Sequence, residues 1–340
     1  MKPFFFSEAR EKLFGTEFLD FAYPIVHDYP TPNGILEYIK KQIHLIQQYP
    51  FCEDALIAEI ANYEKVAESN IVITSGINGG LDLIAKTFFL QKKILVPTPT
   101  FWQLLEAPKR YNAQIATTDA LVIDTICDHG ALENDVAGII LCSPLNPHSI
   151  EIRKNIIIKI LKAHQDKIVV IDQSYADIFD CSLTHLINER KNLIFLKGFK
   201  TFTIPGARVG YIIAHPERSI ALKQRRIPFE VSVSGQSAAI AALRHIDEIR
   251  NIWKLVRADV KYLESKLAML EGKVYESRTN FVYWEHPQAK AIGEKLFQNK
   301  IAVLFPGREV IHGDIQGIRI TARNKDYCDI LLKCLENILQ

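Results

Sequence analysis

The stretch Ile168-Val169-Val170-Ile171-Asp172-Gln173-Ser174-Tyr175 decides the fold. Four consecutive β-branched residues ending on a carboxylate read as a strand buried on both faces of a parallel sheet. Working outward, similar apolar runs recur at Ile71 to Ile73, Lys93 to Val96, Gly138 to Cys142, Leu193 to Leu196 and Val209 to Ala214. Helical stretches separate most of them, notably Gly80 to Leu90 and Asn155 to His164. Upstream, Ile35, Leu36, Ile39, Ile43 and Ile46 recur at helical spacing, and a second helix begins with Asp54 as candidate N-cap. The alternation predicts an α/β domain with a mostly parallel sheet over residues 31–228. After Pro228 the texture changes to long helical stretches, Ser234 to Arg244 and Glu248 to Leu270. Strand patterns follow at Asn280 to Trp284, Ile301 to Phe305 and Gly317 to Thr321, and a helix from Asp326 to Ile338 closes the chain. Residues 229–340, with an irregular N-terminal arm over 1–30, read as a smaller α+β domain.

A chain of 340 residues, 48% hydrophobic and 24% charged, can bury the core of two domains, which excludes a disordered or fibrous protein. A net charge of +2 is too near neutrality to predict a nucleic-acid or membrane-surface partner. Cys52, Cys127, Cys142, Cys181, Cys328 and Cys334 are scattered, without a CxxC pair or a histidine at ligand spacing. No metal site is expected, and reduced thiols fit a cytoplasmic protein. The opening Met1-Lys2-Pro3-Phe4-Phe5-Phe6-Ser7-Glu8 holds too short an apolar run for a secretory signal, which needs roughly 7–15 residues. Nor does any run approach the roughly 18 of a membrane span.

In an open α/β sheet ligands bind beyond the carboxyl ends of the strands, so the residues after each apolar run are the first candidates. Thr74-Ser75-Gly76-Ile77-Asn78-Gly79-Gly80 opens a helix; such a turn either merely caps it or offers backbone N–H groups and the positive helix end to a phosphate. Asn146, in Ser143-Pro144-Leu145-Asn146-Pro147, is either a turn residue or a polar group aimed at a ligand. Asp172 could cap the next turn or hold a cationic ring nitrogen, and Tyr175 stands three residues on. Lys200 lies 28 residues after Asp172, and Arg208 eight residues beyond Lys200. Taken singly, a lysine at a strand end reads as a solvated charge. No GxGxxG follows a strand, since Gly76-Ile77-Asn78-Gly79-Gly80 has the wrong spacing, which argues against a dinucleotide-dependent oxidoreductase.

Together, the order and spacing of Asp172, Tyr175, Lys200 and Arg208 resemble the fold-type I pyridoxal-phosphate enzymes of the class I and II aminotransferase group, and the match runs from Tyr49 to Arg319. The resemblance implies the fold-type I transferase architecture, pyridoxal 5'-phosphate as cofactor, and transfer of an amino group between an amino acid, or an amino-alcohol phosphate, and a 2-oxo acid. Residue roles are implied with it. The Lys200 amine would hold the cofactor aldehyde and move the α-proton. An anionic Asp172 would keep the ring nitrogen protonated. Asn146 and Tyr175 match the donors to the ring hydroxyl, making Lys200, Asp172 and Tyr175 the catalytic set. Arg208 matches the guanidinium on the cofactor phosphate, joined by the amides near Gly76, Ile77 and Asn78. Phe101 matches the aromatic that stacks on the ring, with Trp102 as substitute. Arg319, in Gly317-Ile318-Arg319-Ile320-Thr321, matches the fork for the substrate carboxylate, the plain alternative being an exposed strand arginine. Tyr49 matches a tyrosine that reaches the cofactor phosphate of the neighbouring subunit, which implies a homodimer, although a Tyr-Pro surface turn is the other reading.

Within the group, Pro228-Phe229-Glu230-Val231-Ser232 and Thr279-Asn280-Phe281 are most similar to the histidinol-phosphate aminotransferases and the related threonine-phosphate decarboxylases. Decarboxylation is therefore the alternative reaction. A domain that binds the cofactor without turnover is a further reading, disfavoured because binding alone does not require Lys200, Asp172 and Arg319 together. The arm segment Ala22 to Pro30 lacks the Asn-rich sequence of those relatives, Gln173 stands in place of Glu, and His148-Ser149 in place of Thr-Gly. Where the group places a Ser or Thr on the cofactor phosphate this chain has Lys197, whose ammonium either replaces that contact or points elsewhere. His148 either reaches substrate or is a turn residue, and Arg323 is expected to face solvent.

Overall fold

The structure is a computed structural model and describes residues 18–50, 53–128, 132–307 and 311–340. The opening Met1 to Glu8 stretch and Cys52 lie outside the described residues. Seven strands form the main sheet: β1 (Ile71–Thr74), β2 (Lys93–Leu95), β3 (Gln114–Ala116), β4 (Val136–Cys142), β5 (Ile168–Asp172), β6 (Leu193–Gly198) and β7 (Gly210–Ala214). Their order is β1-β7-β6-β5-β4-β2-β3. Every pairing is parallel except the two that β7 makes with β1 and β6. The edge strand β3 has only three residues and begins on exposed Gln114, so its sequence carries no apolar run.

Alternate side chains along each strand enter opposite layers, as the two-residue period requires. Val72, Ile94, Ile140, Val170, Ile194 and Ile212 cluster with residues of the helices Gly76–Phe88, Gln103–Lys109 and Pro216–Arg225. Ile73, Ile139, Ile171, Phe195 and Ile213 belong to the other cluster, with residues of Glu53–Glu64, Lys154–Ala163 and Val233–Arg244. Both faces are thus covered, which explains the unbroken apolar runs. Asp54 stands in the first turn of Glu53–Glu64 rather than at its cap.

Helix Val233–Arg244, capped by the Ser232 hydroxyl on Gly235 N, packs against Asn33–Gln42 and Glu53–Glu64. We therefore propose that the large unit extends through this helix instead of ending at residue 228. The 22-residue helix Ile246–Leu267 then leads to a three-stranded antiparallel sheet in which Phe281–Glu285 lies between Lys273–Val274 and Gly317–Thr321. The arm is not irregular throughout: Leu19–Asp20 pairs in parallel with Ile301–Ala302, so the expected Ile301 to Phe305 strand is short and joins the arm. Leu304 instead exchanges backbone hydrogen bonds with Arg319, 2.8 and 3.1 Å.

Candidate active site

The carboxyl ends of β1, β4, β5 and β6 converge on a cavity of about 350 Å³, within the range of small-molecule sites. Of the residues singled out from sequence, Gly76, Ile77, Asn78, Phe101, Asn146, Asp172, Tyr175, Lys200, Arg208 and Arg319 all line it. Lys197 and Tyr49 do not.

Gly76 begins its helix at φ +73°, a conformation that disfavours a side chain, and a Cβ there would come within 3.2 Å of the Arg208 guanidinium. Gly210 packs so closely on Gly76 that a Cβ would lie 2.6 Å from its carbonyl carbon. Two glycines thus bring the positive end of the helix Gly76–Phe88 beside Arg208, a cradle suited to a phosphate.

Asp172, the last residue of β5, is buried; one carboxylate oxygen accepts from the Ser174 N–H at 2.9 Å and also from the Ser174 hydroxyl. Burial raises its pKa, opposed by those bonds and by Lys200. The Lys200 amine lies over the Tyr175 ring, 3.8 Å from its centroid. Burial lowers it from 10.5 to about 7, against the pull of the Asp172 charge and helped by Arg319. An amine that is half neutral near pH 7 can act as nucleophile and as proton carrier. Burial pushes the Tyr175 phenol up, with Arg319 opposing.

Arg319 is buried, not solvated as a strand arginine would be, at 4% exposure. One terminal nitrogen donates to Asn146 Oδ1 at 2.7 Å, another to the Ala22 carbonyl at 2.5 Å, and Nε has no partner. A desolvated guanidinium with neutral partners and an orphaned donor suits an incoming carboxylate. Because Asn146 turns its oxygen to Arg319, its Nδ2 is left as a donor.

Lys197 requires a correction. It lies on β6 between Leu196 and Gly198, so its side chain points into the layer of Glu53–Glu64 rather than the cavity. There it pairs with Glu64 at 2.7 Å and Asp177 at 2.8 Å, fully buried. Burial alone would lower this ammonium, but the two carboxylates hold it well above its ordinary value. Arg323, expected in solvent, binds Asp28 through both carboxylate oxygens at 2.8 and 2.9 Å. His148 is buried against Tyr275 and Tyr283 and lines a separate cleft, and burial lowers it to about 4. Trp102 packs edge-on against Phe101 but does not line the cavity. Tyr49 is exposed and stacks on Phe229, 5.2 Å between centroids.

The sequence marked the arm segment holding Ala22 to Ile25 only as a departure from its relatives and left Ser174 and Leu304 unmarked, yet all of these line the cavity. Asp-x-Ser is a local signal for Ser174, since its hydroxyl can reach back to the carboxylate. Nothing local marks Leu304.

The family model of the class I and II aminotransferases matches residues 22–335, and the chain belongs to that family. It is a pyridoxal-phosphate-dependent enzyme that transfers an amino group, and the cradle, the buried Asp172 and the near-neutral Lys200 fit that cofactor. A histidinol-phosphate aminotransferase of Ruminiclostridium cellulolyticum is 28% identical over 316 residues, 88% of this chain and 85% of that protein. The crystal structure of the histidinol-phosphate aminotransferase from Clostridium acetobutylicum superposes with a TM-score of 0.84 at 21% identity, covering 94% of this chain and 98% of that one. L-threonine-O-3-phosphate decarboxylase from Porphyromonas gingivalis gives 0.81 at 22% identity, with the same coverage. These likenesses bear out the fold, and the family favours amino transfer over decarboxylation.

Proposed function

We propose that this aminotransferase works through Lys200 as the residue that holds the cofactor and carries the α-proton. The observation that carries the reading is the Lys200 amine, lowered to about 7, in one cavity with buried Asp172 and the orphaned Arg319 Nε. Pyridoxal phosphate, when bound, supplies the electron sink that lets the α-C–H bond release a proton. Asp172 would hold the charge of the ring nitrogen, Asn146 and Tyr175 would donate to the ring oxygen, and Phe101 would pack on the ring, all of them from the lining of this cavity. Arg208 and the amides of Gly76, Ile77 and Asn78 would hold the cofactor phosphate. Arg319, with its unpartnered Nε, would hold the substrate carboxylate, and a carboxylate held there would leave the α-hydrogen to Lys200, favouring proton removal over loss of carbon dioxide. The donor amino acid leaves as a 2-oxo acid, its new oxygen coming from water, and an incoming 2-oxo acid carries the nitrogen away.

The active form in this reading is a homodimer, with Tyr49 completing the partner's phosphate site. Leu36, Ile43, Ile46, Tyr49, Ile227 and Phe229 are all exposed on this chain, which supports a covering second copy. A cytoplasmic location is supported by the free thiols of Cys127, Cys142, Cys181, Cys328 and Cys334. Among the described residues no helix is long and apolar enough to cross a membrane.

The test is borohydride reduction of the yellow holoenzyme followed by peptide mapping. Cofactor fixed on Lys200 is expected; attachment to Lys197, or to no lysine, would sink the assignment.

A further inference from the structure

The end of β5 is held from both neighbouring strands. The Ser143 N–H donates to the Asp172 carbonyl from the β4 side, and the Gln173 N–H donates to the Leu196 carbonyl of β6, each at 2.9 Å. With the backbone of Asp172 fixed in this way, the freedom that remains is rotation of its carboxyl group. Ser174 removes it. The Ser174 N–H and hydroxyl both donate to the same oxygen, Oδ1, and two donors on one oxygen set the plane of the carboxylate. Oδ2 stays outside the Ser174 contacts, and both residues line the cavity. Gln173, between them, is turned the other way: its amide donates to the Cys181 carbonyl at 3.3 Å and accepts from the Leu183 N–H at 3.2 Å. The two residues that follow Asp172 therefore have separate tasks.

We propose that Ser174 is a positioning residue for the cofactor: its hydroxyl orients the Asp172 carboxylate and keeps it anionic, so that Oδ2 is the oxygen offered to a protonated ring nitrogen. The proposal rests on the reading that Asp172 serves that nitrogen. Burial opposes the charge on Asp172, and what favours it is Ser174, through hydroxyl and N–H, together with Lys200. On the proposed reading the cofactor takes up the Lys200 amine, whereas the two Ser174 bonds persist. A hydrogen bond to a carboxylate is stronger than one to the neutral acid, so Ser174 holds Asp172 in the form that a pyridinium requires. A serine that merely closed the turn would act differently. Its loss would loosen the segment that bears Tyr175 and would weaken any ligand of the cavity alike, with or without a ring nitrogen.

The experiment measures dissociation constants of the full chain for pyridoxal phosphate and for an analogue with carbon in place of the ring nitrogen, which has no N–H to give Asp172. Four proteins are compared: the unaltered chain, Ser174→Ala, Asp172→Asn and the double variant. The unaltered chain is expected to prefer pyridoxal phosphate. Ser174→Ala is expected to reduce that preference at least about threefold by weakening pyridoxal phosphate while leaving the analogue unchanged. Asp172→Asn should reduce it further, and adding Ser174→Ala to Asp172→Asn should then change nothing, because the hydroxyl acts only through the carboxylate. An unchanged preference in Ser174→Ala, an equal loss for both ligands, or the same loss on the Asp172→Asn background would overturn the proposal while leaving Asp172 in its role. If Asp172→Asn keeps the full preference, the reading of Asp172 itself fails and the proposal falls with it.

Discussion

Lys200 is subject to two opposed demands. Burial favours the neutral amine and the Asp172 charge favours the ammonium, and the balance falls at about 7 instead of 10.5. Because the folded value lies below the unfolded one, the unfolded chain binds the extra proton between those two values. The cofactor-free protein therefore gains stability as pH rises from about 7 to about 10; below 7 the folded state bears the whole penalty. Replacing the amine by a thioether removes the penalty. Lys200→Met is expected to stabilise the cofactor-free protein by about 1–4 kcal/mol at pH 6, a difference that fades by pH 10. Urea melts at the two pH values check this. A gain independent of pH would place a solvated, normally charged amine at this position.

At the scale of elements, β6 and the turn that follows it carry two lysines with opposite fates. Lys200 stands past its end, in the short helical turn Lys200–Phe202, and enters the cavity, while Lys197 points from the strand itself into the layer behind. Around Lys197, Asp177 comes from the turn after Tyr175 and Glu64 from the helix Glu53–Glu64. Tyr63 donates to Asp177 at 2.9 Å, and Tyr211 of β7 donates to Glu64 at 2.6 Å. The cluster ties the segment bearing Tyr175 to the strand that presents Lys200. Lys197→Met would leave two carboxylates buried without their cation, and such broken pairs cost about 3–5 kcal/mol. Reduced thermal stability with little change in cofactor dissociation is expected. A large loss of cofactor affinity in a variant of undiminished stability would return Lys197 to the phosphate site.

At the scale of the molecule, the site is assembled from both ends of the chain. The arm lies against Ile301–Ala302, places the Ala22 carbonyl on Arg319, and is fastened again by Asp28 to Arg323. The proposed dimer would add Tyr49, 69% exposed on the isolated chain. Mixing Tyr49→Phe and Lys200→Ala chains tests this. In a mixed dimer the intact lysine receives its tyrosine from the Lys200→Ala chain, so activity per intact site should exceed that of the Tyr49→Phe homodimer. If mixed dimers form and no gain appears, the tyrosine acts within its own subunit or outside the site.

The sequence by itself determined six of the seven strands of the main sheet and the order of the chemical groups along them. Runs such as Ile168 to Ile171 and Leu193 to Leu196 are local signals; Asp172 ends β5, Lys200 stands two residues past β6 and Arg208 two residues before the antiparallel β7, at the sheet end where ligands of an α/β sheet collect. Periodicity also marked the helices Lys154–Ala163 and Lys325–Leu339 to within a residue or two. Only the tertiary structure decided what each charge meets. Lys197, Arg319 and Arg323 are all basic residues on or just beyond β patterns, yet one pairs with Glu64 and Asp177, one meets only the neutral Asn146 and Ala22 and keeps an unpartnered Nε, and one is neutralised by Asp28. Those partners lie far away in the chain, so no local pattern records them. The burial that shifts Lys200, and the apolar wall of Ala22, Ile25 and Leu304 beside Arg319, exist only once the two chain ends have packed together.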